Sequence, residues 1–485
     1  MDHYALFYKL AKTGMRGKLF KTVYSMYGNV SACVKTPHGL TEFFHCNSGL
    51  QQGSVISPLL FCFFINDIGK HLVTHAYSGV YVGILQLYYL LYADDLCLFS
   101  STVIGLQRLF NRLSDFCATW KLSVNISKTK IIVFRRGGVL KSNEQWVFEG
   151  TRVDVVPYYN YLGIIFSSFG AWFQAQQTIA NQASKCIFSL KKHFINYKYM
   201  PIDVLLTIFD TKILPILLYG CEVWGFHGAK DIESVHIKFC RYALKLSNCT
   251  STAAIRGELG RFTMKTQMLI RIIKYWLHIL NMDQHRYVFQ CYKFQYGKSE
   301  QNQTCWATSV KQLLFSYGFG QAWLSQGVGN EEIFVNLFKT RARDIDIQTW
   351  SAELNDSPKL ETYISFKTSF NMESYLYNLE EPILLSILCK FRISAHKLNI
   401  ETGRRQNIHR EQRKCKVCPH LVENEFHFLI CCPLYAELRA KYLPAYYYTH
   451  PNRSKFVELM KTENKYIQKN IASYLKQAFI KRENI

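Results

Sequence analysis

The sequence predicts an α+β fold, in which short strands and helices share the first 170 residues and helices dominate the rest. Short apolar runs separated by turn residues are frequent before residue 170, and this pattern is typical of β-hairpins. From about Ala171 onward, apolar residues recur with helical spacing, which predicts helices over residues 171–193, 201–219, 255–280 and 331–343. The 485 residues are enough for several domains with sizeable cores.

Several elements of the chain are predicted individually. Residues 1–27 carry apolar side chains on roughly one face, so a helix is expected there. Ser57-Pro58 precedes an apolar stretch, which predicts a helix start with Ser57 as N-cap and Pro58 at the first helical position. Residues 304–316 are ambiguous.

The sequence Tyr92-Ala93-Asp94-Asp95 lies between the apolar runs 84–91 and 96–99, which predicts a β-hairpin with two carboxylates at its tip. Adjacent carboxylates repel, and a divalent cation relieves that repulsion. Mg²⁺ binds carboxylate oxygens together with substrate phosphates, so the hairpin is a candidate for half of a two-metal site for nucleotidyl transfer. For this motif alone, the alternative is a solvated Asp-Asp turn.

A glycine-containing segment upstream makes the metal-site interpretation more specific. Residues 49–58 read G-L-Q-Q-G-S-V-I-S-P and lead into a predicted helix. Glycines let a backbone approach a ligand closely, and the start of a helix suits phosphate. Without the acidic hairpin, the same segment would be an ordinary loop before a buried helix.

A second constellation lies near the end of the chain. Cys415-x₂-Cys418-x₈-His427-x₄-Cys432 offers three thiols and one imidazole, a set that suits a tetrahedral structural Zn²⁺. Cys431 is adjacent to Cys432 and is an alternative fourth ligand. The other interpretation is a group of buried or reactive thiols.

The charge of the chain indicates a polyanionic partner. The net charge is +23, from 58 Lys and Arg against 35 Asp and Glu, which favours nucleic acid. A basic run that includes Arg404, Arg405, Arg410 and Arg413 precedes the cysteine cluster and is a candidate surface for phosphate contacts. The alternative is an ordinary solvated face.

Cysteine usage and hydropathy indicate where the protein works. The chain is long, has 16 cysteines and begins without a signal-peptide pattern, so we expect reduced thiols and an intracellular location in cytoplasm, nucleus or both. No apolar run reaches the roughly 18 to 20 residues of a membrane helix, so no membrane partner is expected.

Together these motifs resemble the reverse transcriptase of non-LTR (LINE-type) retrotransposons. The family's loop–helix motif, G-x-x-Q-G-x-x-x-S-P, is matched from Gly49 to Pro58, and its catalytic hairpin is matched from Tyr92 to Asp95. The cysteine cluster resembles the family's C-terminal zinc module, whose H-F-L-x-x-C-P pattern selects Cys432 because Pro433 follows it. Further matches, in family order, are a helix over residues 106–120 followed by residues 125–130, the family's primer-grip hairpin at Tyr161-Leu162-Gly163, and residues 213–224.

The resemblance implies RNA-templated DNA synthesis, by attack of a primer 3′-OH on the α-phosphate of a deoxynucleotide. Its partners would be an RNA template and a DNA primer, with deoxynucleotides as the only small molecules. Asp94 and Asp95 would hold Mg²⁺, and the cysteine cluster would hold Zn²⁺. The implied contacts to nucleotide, primer or template are Gln52, Gly53, Tyr92 and Lys128, the last as a phosphate or proton-donating contact.

The resemblance also implies a division of the chain. The expected parts are a partial palm over residues 1–170, thumb-like helices over 171–260, a helical C-terminal region over 261–400, a basic run with the zinc module over 401–445, and a helical tail over 446–485.

One part of the family's site is expected to lie outside this chain. The family's first catalytic aspartate usually occurs in F-D-x-V-D-H, and Met1-Asp2-His3 resembles the end of that motif. Asp2 is a poor substitute ligand at a chain terminus. We therefore expect a 5′-truncated reverse transcriptase that extends no primer by itself. The alternatives are an inactive nucleic-acid-binding remnant and, less favoured, a pseudogene product that does not fold stably.

Overall fold

The structure is a computed structural model that describes residues 1–73, 79–135, 137–193 and 200–484. It divides into two compact units. Unit 1 comprises Met1–Ala171 and Met282–Gln303, and unit 2 comprises Trp172–Asn281 and Thr304–Ile485. Every strand of the described residues lies in unit 1, so the mixed helix and small-sheet composition confirms the fold class in its coarse form. The five predicted domains stay predictions.

The strands of unit 1 form separate two-stranded antiparallel ladders rather than one continuous sheet. Each ladder joins strands of two to four residues, so the helices and loops around them supply most of the packing. The strands are β1 Ser31–Ala32, β2 Lys35–Thr36, β3 Gly39–Leu40, β4 Phe44–His45, β5 Val80–Val82, β6 Leu85–Leu87, β7 Tyr89–Tyr92, β8 Asp95–Leu98, β9 Val147–Phe148, β10 Thr151–Arg152, β11 Tyr158–Tyr161 and β12 Ile164–Ser167.

Helices occur along the whole of the described chain, from His3 to Glu483. Among them, none combines the length and the apolar character that crossing a bilayer requires. In chain order they are α1 His3–Lys12, α2 Gly17–Gly28, α3 Ser57–Ile65, α4 Ile68–Leu72, α5 Val103–Trp120, α6 Phe173–His193, α7 Ile202–Ile208, α8 Leu214–Leu217, α9 Cys221–Trp224, α10 Lys230–Ala243, α11 Thr252–Leu259, α12 Met264–Leu280, α13 Tyr287–Glu300, α14 Trp306–Ser316, α15 Gly320–Leu324, α16 Glu331–Asn355, α17 Glu361–Phe366, α18 Tyr375–Asn378, α19 Pro382–Arg392, α20 Asn399–Arg405, α21 Ala436–Tyr442, α22 Ala445–Tyr448, α23 Arg453–Lys461 and α24 Lys465–Glu483.

Two predictions for the start of the chain were wrong in detail. Residues 1–27 form two helices rather than one, because Gly14 takes a left-handed φ of 93° just after α1 ends. Ser57 is the first residue of α3 and does not cap it. Its hydroxyl instead donates to the Gln51 carbonyl at 2.8 Å and contacts the Tyr27 hydroxyl at 2.8 Å, which ties the preceding loop to α2.

The N-terminal helices of unit 1 enclose a buried lysine. Lys9 is only 5% exposed, and its Nζ donates to the Phe64 carbonyl and to Asp67 Oδ1, both at 2.6 Å. The same ammonium lies 3.8 Å from the centre of the Trp120 ring. A buried charge must be paired, and here a carboxylate, a carbonyl and an aromatic face together satisfy it. This contact fixes α1 against α3 and α5.

In unit 2, two helices that were predicted as continuous from the spacing of apolar residues are interrupted. The predicted helix over residues 201–219 is interrupted by a π-helical turn, Phe209–Ile213, because Pro215 has no N–H to donate to the preceding turn. The predicted helix over 255–280 is two helices, since Gly260 ends α11 with a φ of 60°. The ambiguous residues 304–316 contain helix α14.

A buried ion-pair network joins α11, α19 and the segment before α18. Glu258 is fully buried and accepts from Arg392 Nε at 3.1 Å, while Arg392 Nη2 donates to Glu373 at 2.6 Å. Arg392 Nη1 also donates to the Met460 carbonyl at 2.6 Å. One guanidinium therefore satisfies two carboxylates and a backbone group in the centre of unit 2.

We expect Arg392→Met to lower the free energy of unfolding by about 3–5 kcal/mol, because it leaves Glu258 buried without its counter-ion. Urea titration followed by circular dichroism measures this change. The matched control is Lys465→Met, which breaks an exposed pair with Glu380 and is expected to cost less than about 1 kcal/mol. Equal effects of the two variants would contradict the importance of burial for the Arg392 network.

Candidate active site and metal centre

The acidic hairpin is formed by β7 and β8. Tyr92 pairs directly with Asp95, so Ala93 and Asp94 make a two-residue turn and Asp95 opens β8. The predicted apolar run over 84–91 is not one strand, because Ile84 lies in the turn of the preceding β5–β6 hairpin. The structure thus places one carboxylate in the turn and the other at the first strand position beyond it.

The hairpin turn holds a conformation that alanine rarely adopts. Ala93 has a φ of 52°, in the left-handed region that favours glycine. Holding a non-glycine residue there costs on the order of 1–3 kcal/mol, and such strain is concentrated at functional sites. The strain is therefore a structural reason, independent of sequence motifs, to single out this turn.

The carboxylates of the hairpin are free to bind a cation. Tyr92, Asp94 and Asp95 are exposed, and in the described part of the chain no side chain forms an ion pair or hydrogen bond with either carboxylate. Nor does any third His, Cys, Asp or Glu of the described residues join them at metal-binding distance. Asp94 and Asp95 fit Mg²⁺, but they supply only part of the ligands of a two-metal site.

Asp2 does not complete this set. Its carboxylate caps α1 by accepting from the Ala5 N–H at 3.0 Å, and it pairs with Lys121 Nζ at 3.2 Å. Both contacts, led by the hydrogen bond from Ala5, lower the pKa of Asp2. The carboxylate is therefore used in ordering the first helix.

A second hairpin is formed by β11 and β12. Tyr161 pairs with Ile164 across the turn Leu162-Gly163, whose φ angles are 50° and 80°, so residues 161–163 lie in a hairpin as the resemblance implies, while the primer-grip role stays a prediction. Burial raises the pKa of Tyr161, and the charges of Cys97 and Asp95 add to the shift.

The glycine-containing loop is fixed at its base and open at its tip. The Gly49 N–H donates to the Met1 carbonyl at 2.7 Å, and the Gly49 carbonyl contacts His3 Nε2 at 3.1 Å. Gln52 and Gly53 are exposed, and Gly53 has a left-handed φ of 84°. An open tip on a fixed base suits the predicted contacts of Gln52 and Gly53 with nucleotide and template.

Lys128 also projects from an ordered backbone. Its side chain is exposed, while its carbonyl accepts from the Tyr159 hydroxyl at 3.1 Å. The turn that carries it is closed by hydrogen bonds from the Lys128 and Thr129 N–H groups to the Asn125 carbonyl, at 3.2 and 3.0 Å. The predicted roles of Gln52, Gly53, Tyr92 and Lys128 stay predictions.

The cysteine cluster of unit 2 has the geometry of a metal centre. One ligand atom from each of Cys415, Cys418, His427 and Cys432 can be chosen so that all lie within 4.8 Å of one another. The Cys415 and Cys432 sulfurs are 3.9 Å apart, close to the roughly 3.8 Å that Zn–S bonds of about 2.3 Å give in a tetrahedron. His427 Nε2 is buried without a hydrogen-bond partner, so it is available as a ligand. The residues present therefore fit Zn²⁺.

Local backbone structure brings these ligands together. Cys415 and Cys418 lie in one loop, which is closed by the Cys415 N–H donating to the Leu421 carbonyl and the Leu421 N–H donating to the Cys418 carbonyl, both at 2.9 Å. His427 begins a π-helical turn that ends at Cys431, and its N–H donates to Asn424 Oδ1 at 2.8 Å. This turn directs Cys432, and not Cys431, into the four-residue group.

The electrostatics of the cluster favour a neutral imidazole and couple metal binding to pH. Burial raises the pKa of the Cys432 thiol to about 12, and Cys415 and Cys418 add to the shift. Burial also lowers the pKa of His427. Zinc binds thiolates, so its binding must release thiol protons, and the affinity is expected to rise with pH.

The arginines of the basic run differ in whether a carboxylate already pairs with them. Arg404 pairs with Glu401 at 3.1 Å, and Arg410 pairs with Glu361 at 2.5 Å. Arg405 is exposed, and in the described part of the chain no ion pair engages it. Among Arg404, Arg405 and Arg410, Arg405 is the one that no carboxylate pairs with.

Two residues near the cysteine cluster were missed by sequence analysis. Asn424 holds the first turn of the His427 segment, and Arg439 Nη2 donates to the Cys432 carbonyl at 2.6 Å. An Asn three residues before His427 is a helix-cap pattern that could have been found. Nothing in the sequence distinguishes Arg439 from the other cations of the chain.

Comparison with known proteins gives independent information on the first part of the chain. Residues 1–166 match the family described as reverse transcriptase (RNA-dependent DNA polymerase). A relative, the probable RNA-directed DNA polymerase from transposon BS of Drosophila melanogaster, is 24% identical over 234 residues, which cover 46% of this chain and 25% of that protein.

Two further relatives belong to other mobile elements. The RNA-directed DNA polymerase from mobile element jockey of Drosophila funebris is 21% identical over 251 residues, covering 50% of this chain and 26% of that protein. The retrovirus-related Pol polyprotein from type-1 retrotransposable element R2 of Popillia japonica is 23% identical over 223 residues, which cover 44% of this chain and 34% of that protein. The chain spans about a quarter of the length of the transposon BS and jockey proteins.

Proposed function

We propose that this chain, which carries a reverse transcriptase domain of the non-LTR retrotransposon type, takes part in RNA-directed DNA synthesis through its acidic hairpin. The observation that carries the proposal is the exposed, unpaired Asp94-Asp95 on a strained turn inside the matched segment. The relatives, named as RNA-directed DNA polymerases, support an RNA template, a DNA primer and deoxynucleotides as partners. The two carboxylates supply the negative charge that Mg²⁺ needs, and their exposure leaves room for substrate phosphates.

The proposed roles follow from which side chains are open. Mg²⁺ held by Asp94 and Asp95 would stabilise the attacking and leaving oxygens of nucleotidyl transfer. Tyr92, exposed beside them, would contact the primer end or the incoming nucleotide. Gln52 and Gly53 would contact nucleotide and template from the open loop, and Lys128 would contact a phosphate or donate a proton.

The finer architecture is part of the same proposal. Residues 1–170 would be a partial palm, the helices over 171–260 a thumb, and residues 401–445 a basic run with a zinc module. The helices over 261–400 and 446–485 would form the remaining C-terminal region. Primer extension on an RNA template, by this chain joined to the aspartate-bearing upstream strand of a related transposon polymerase, tests the proposal, with Asp94→Asn as the deciding variant.

A second candidate function is nucleic-acid binding without catalysis. One observation favours it: among the described residues, no third ligand joins the carboxylates of the hairpin. The net charge of +23 does not depend on that ligand. This function requires only cations that reach phosphate, of which Arg405 is the best placed in the basic run.

We expect the chain to bind single-stranded RNA with little sequence preference and with an affinity that falls steeply with salt, because neutralised phosphates release counter-ions. Arg405→Ala is expected to make the slope of log affinity against log salt shallower by about 0.7, the value for one contact on a single strand. Replacing Arg404 and Arg410 as well would make it shallower by about two in all if each side chain leaves its carboxylate for a phosphate.

Fluorescence anisotropy over a salt series measures these slopes. Arg405→Lys is the matched control, since it keeps the charge and is expected to leave the slope unchanged. A slope that Arg405→Ala does not alter would assign the basic run to a solvated face. No binding at low salt would contradict both the polymerase and the binding function.

A further inference from the structure

Arg439 is a buried cation with no carboxylate partner. The residue is 5% exposed, Nη2 donates to the Cys432 carbonyl at 2.6 Å, and the buried Nη1 has no hydrogen-bond partner. In the part of the chain that the structure describes, no Asp or Glu forms an ion pair with it. A guanidinium in this environment needs a negative charge from another source.

The other buried Lys and Arg residues show how this protein normally treats such a charge. Each buried cation among the described residues, apart from Arg439, has an ion pair with a carboxylate. The pairs are Lys9–Asp67 at 2.6 Å, Arg256–Asp346 at 2.6 Å, Lys367–Glu373 at 2.5 Å and Arg392–Glu258 at 3.1 Å. Leaving a buried charge unpaired costs several kcal/mol, so the exception at Arg439 requires an explanation.

The buried carboxylates of the zinc module, Glu423 and Glu425, already have basic partners. Glu423 is buried and accepts from Arg482 at 2.6 and 2.7 Å. What remains next to Arg439 is the uncharged hydroxyl of Tyr474 and the cysteine cluster, which Arg439 reaches through its hydrogen bond to the Cys432 carbonyl. Three thiolates and a neutral imidazole around Zn²⁺ carry a net charge of −1. One guanidinium balances that charge.

We propose that Arg439 is the counter-ion of the metal–thiolate centre and a positioning residue for Cys432. This inference rests on the zinc site of the proposed function. The metal centre and the guanidinium then satisfy each other: the cluster pairs the buried charge of Arg439, and Arg439 stabilises the anionic cluster. Residues that hydrogen-bond to metal ligands commonly change the affinity of a site for its metal.

The position of Arg439 extends the effect of the metal to the C-terminal helices. Arg439 lies on α21, and α21 packs against α24. Helix α24 is attached to the module by Tyr474, whose hydroxyl donates to the Phe428 carbonyl at 2.8 Å, and by Arg482. Removing the metal leaves Arg439 unpaired at this contact, so α21 and α24 should lose order together with the zinc module.

The test compares the zinc affinity of the full chain and of Arg439→Gln and Arg439→Lys, by competition with a chromogenic chelator. Arg439→Gln keeps a hydrogen-bond donor without the charge and is expected to weaken zinc binding about 10–100-fold, while Arg439→Lys should stay within about threefold of the unsubstituted chain. Hydrogen exchange of α24 with and without zinc gives a second readout. The zinc-dependent protection of α24 should shrink in Arg439→Gln.

The matched control is Arg256→Gln, which removes another buried arginine of unit 2 and should leave zinc affinity unchanged. An equal loss in this control would mean general destabilisation and would overturn the proposal, as would equal affinities of Arg439→Gln and Arg439→Lys. If Arg439→Gln does not fold, Arg439→Met, which keeps an aliphatic stem, replaces it. If only the uncharged variants fail to fold, the result supports a requirement for the charge of Arg439. If Arg439→Lys also fails to fold, the proposal is overturned. A full chain that binds no zinc contradicts the zinc site itself.

Discussion

Asp94→Asn is expected to abolish RNA-templated primer extension in a polypeptide that joins this chain to the aspartate-bearing upstream strand of a related transposon polymerase. Asparagine keeps the size of the side chain and removes its charge, so the change acts on metal binding and not on packing. A loss of about 4 kcal/mol of transition-state stabilisation corresponds to a rate about a thousandfold lower. Asp95→Asn should have an effect of the same order, because both carboxylates are exposed and unpaired.

Extension of a labelled DNA primer on an RNA template with Mg²⁺ measures the effect. Asp115→Asn is the matched control, since Asp115 is an exposed aspartate of the same unit, on α5, and should leave the rate unchanged. Extension that survives both Asp94→Asn and Asp95→Asn would remove the acidic hairpin from the mechanism. The chain without the added strand is expected to extend no primer, because the described residues supply no third ligand.

The acidic hairpin and the cysteine cluster could be predicted because the residues that specify each of them lie close together in the sequence. An apolar strand, a two-residue acidic turn and a second apolar strand specify a hairpin within ten residues, and the turn was found at Ala93-Asp94. The strain at Ala93 could not be predicted, since alanine gives no sequence signal for a left-handed φ. The choice of Cys432 over Cys431 needed the family pattern, and the structure brings Cys432 into the cluster.

The features that were missed depend on contacts between distant parts of the chain. Helix α13 packs against the β5–β6 hairpin within unit 1, although about 200 residues separate them in sequence. The paired states of Arg404 and Arg410 depend on Glu401 and Glu361, and the burial of Arg439 depends on α24. Periodicity and charge counts record which residues are present, but they do not show which charges are already neutralised.

Cys418→Ser is expected to remove the bound zinc and to unfold the region after Lys414. The purified chain should carry about one Zn²⁺, as a four-ligand structural site does. Binding to such a site contributes an apparent free energy of roughly 10–16 kcal/mol at neutral pH, and that energy is available to folding only when all ligands are present. A serine hydroxyl at position 418 stays protonated and cannot replace a thiolate.

Metal content by atomic emission and hydrogen exchange of residues 415–432 measure the two effects. Cys431→Ser is the matched control, because Cys431 lies outside the four-residue group and its loss should leave the zinc in place. Acidification should release zinc from the unsubstituted chain, because the thiolates that bind the metal take up protons as they are released. Equal zinc content in Cys418→Ser and the unsubstituted chain would exclude the site. Loss of zinc in Cys431→Ser would show that the ligand is Cys431 and that the π-helical turn differs from the one described.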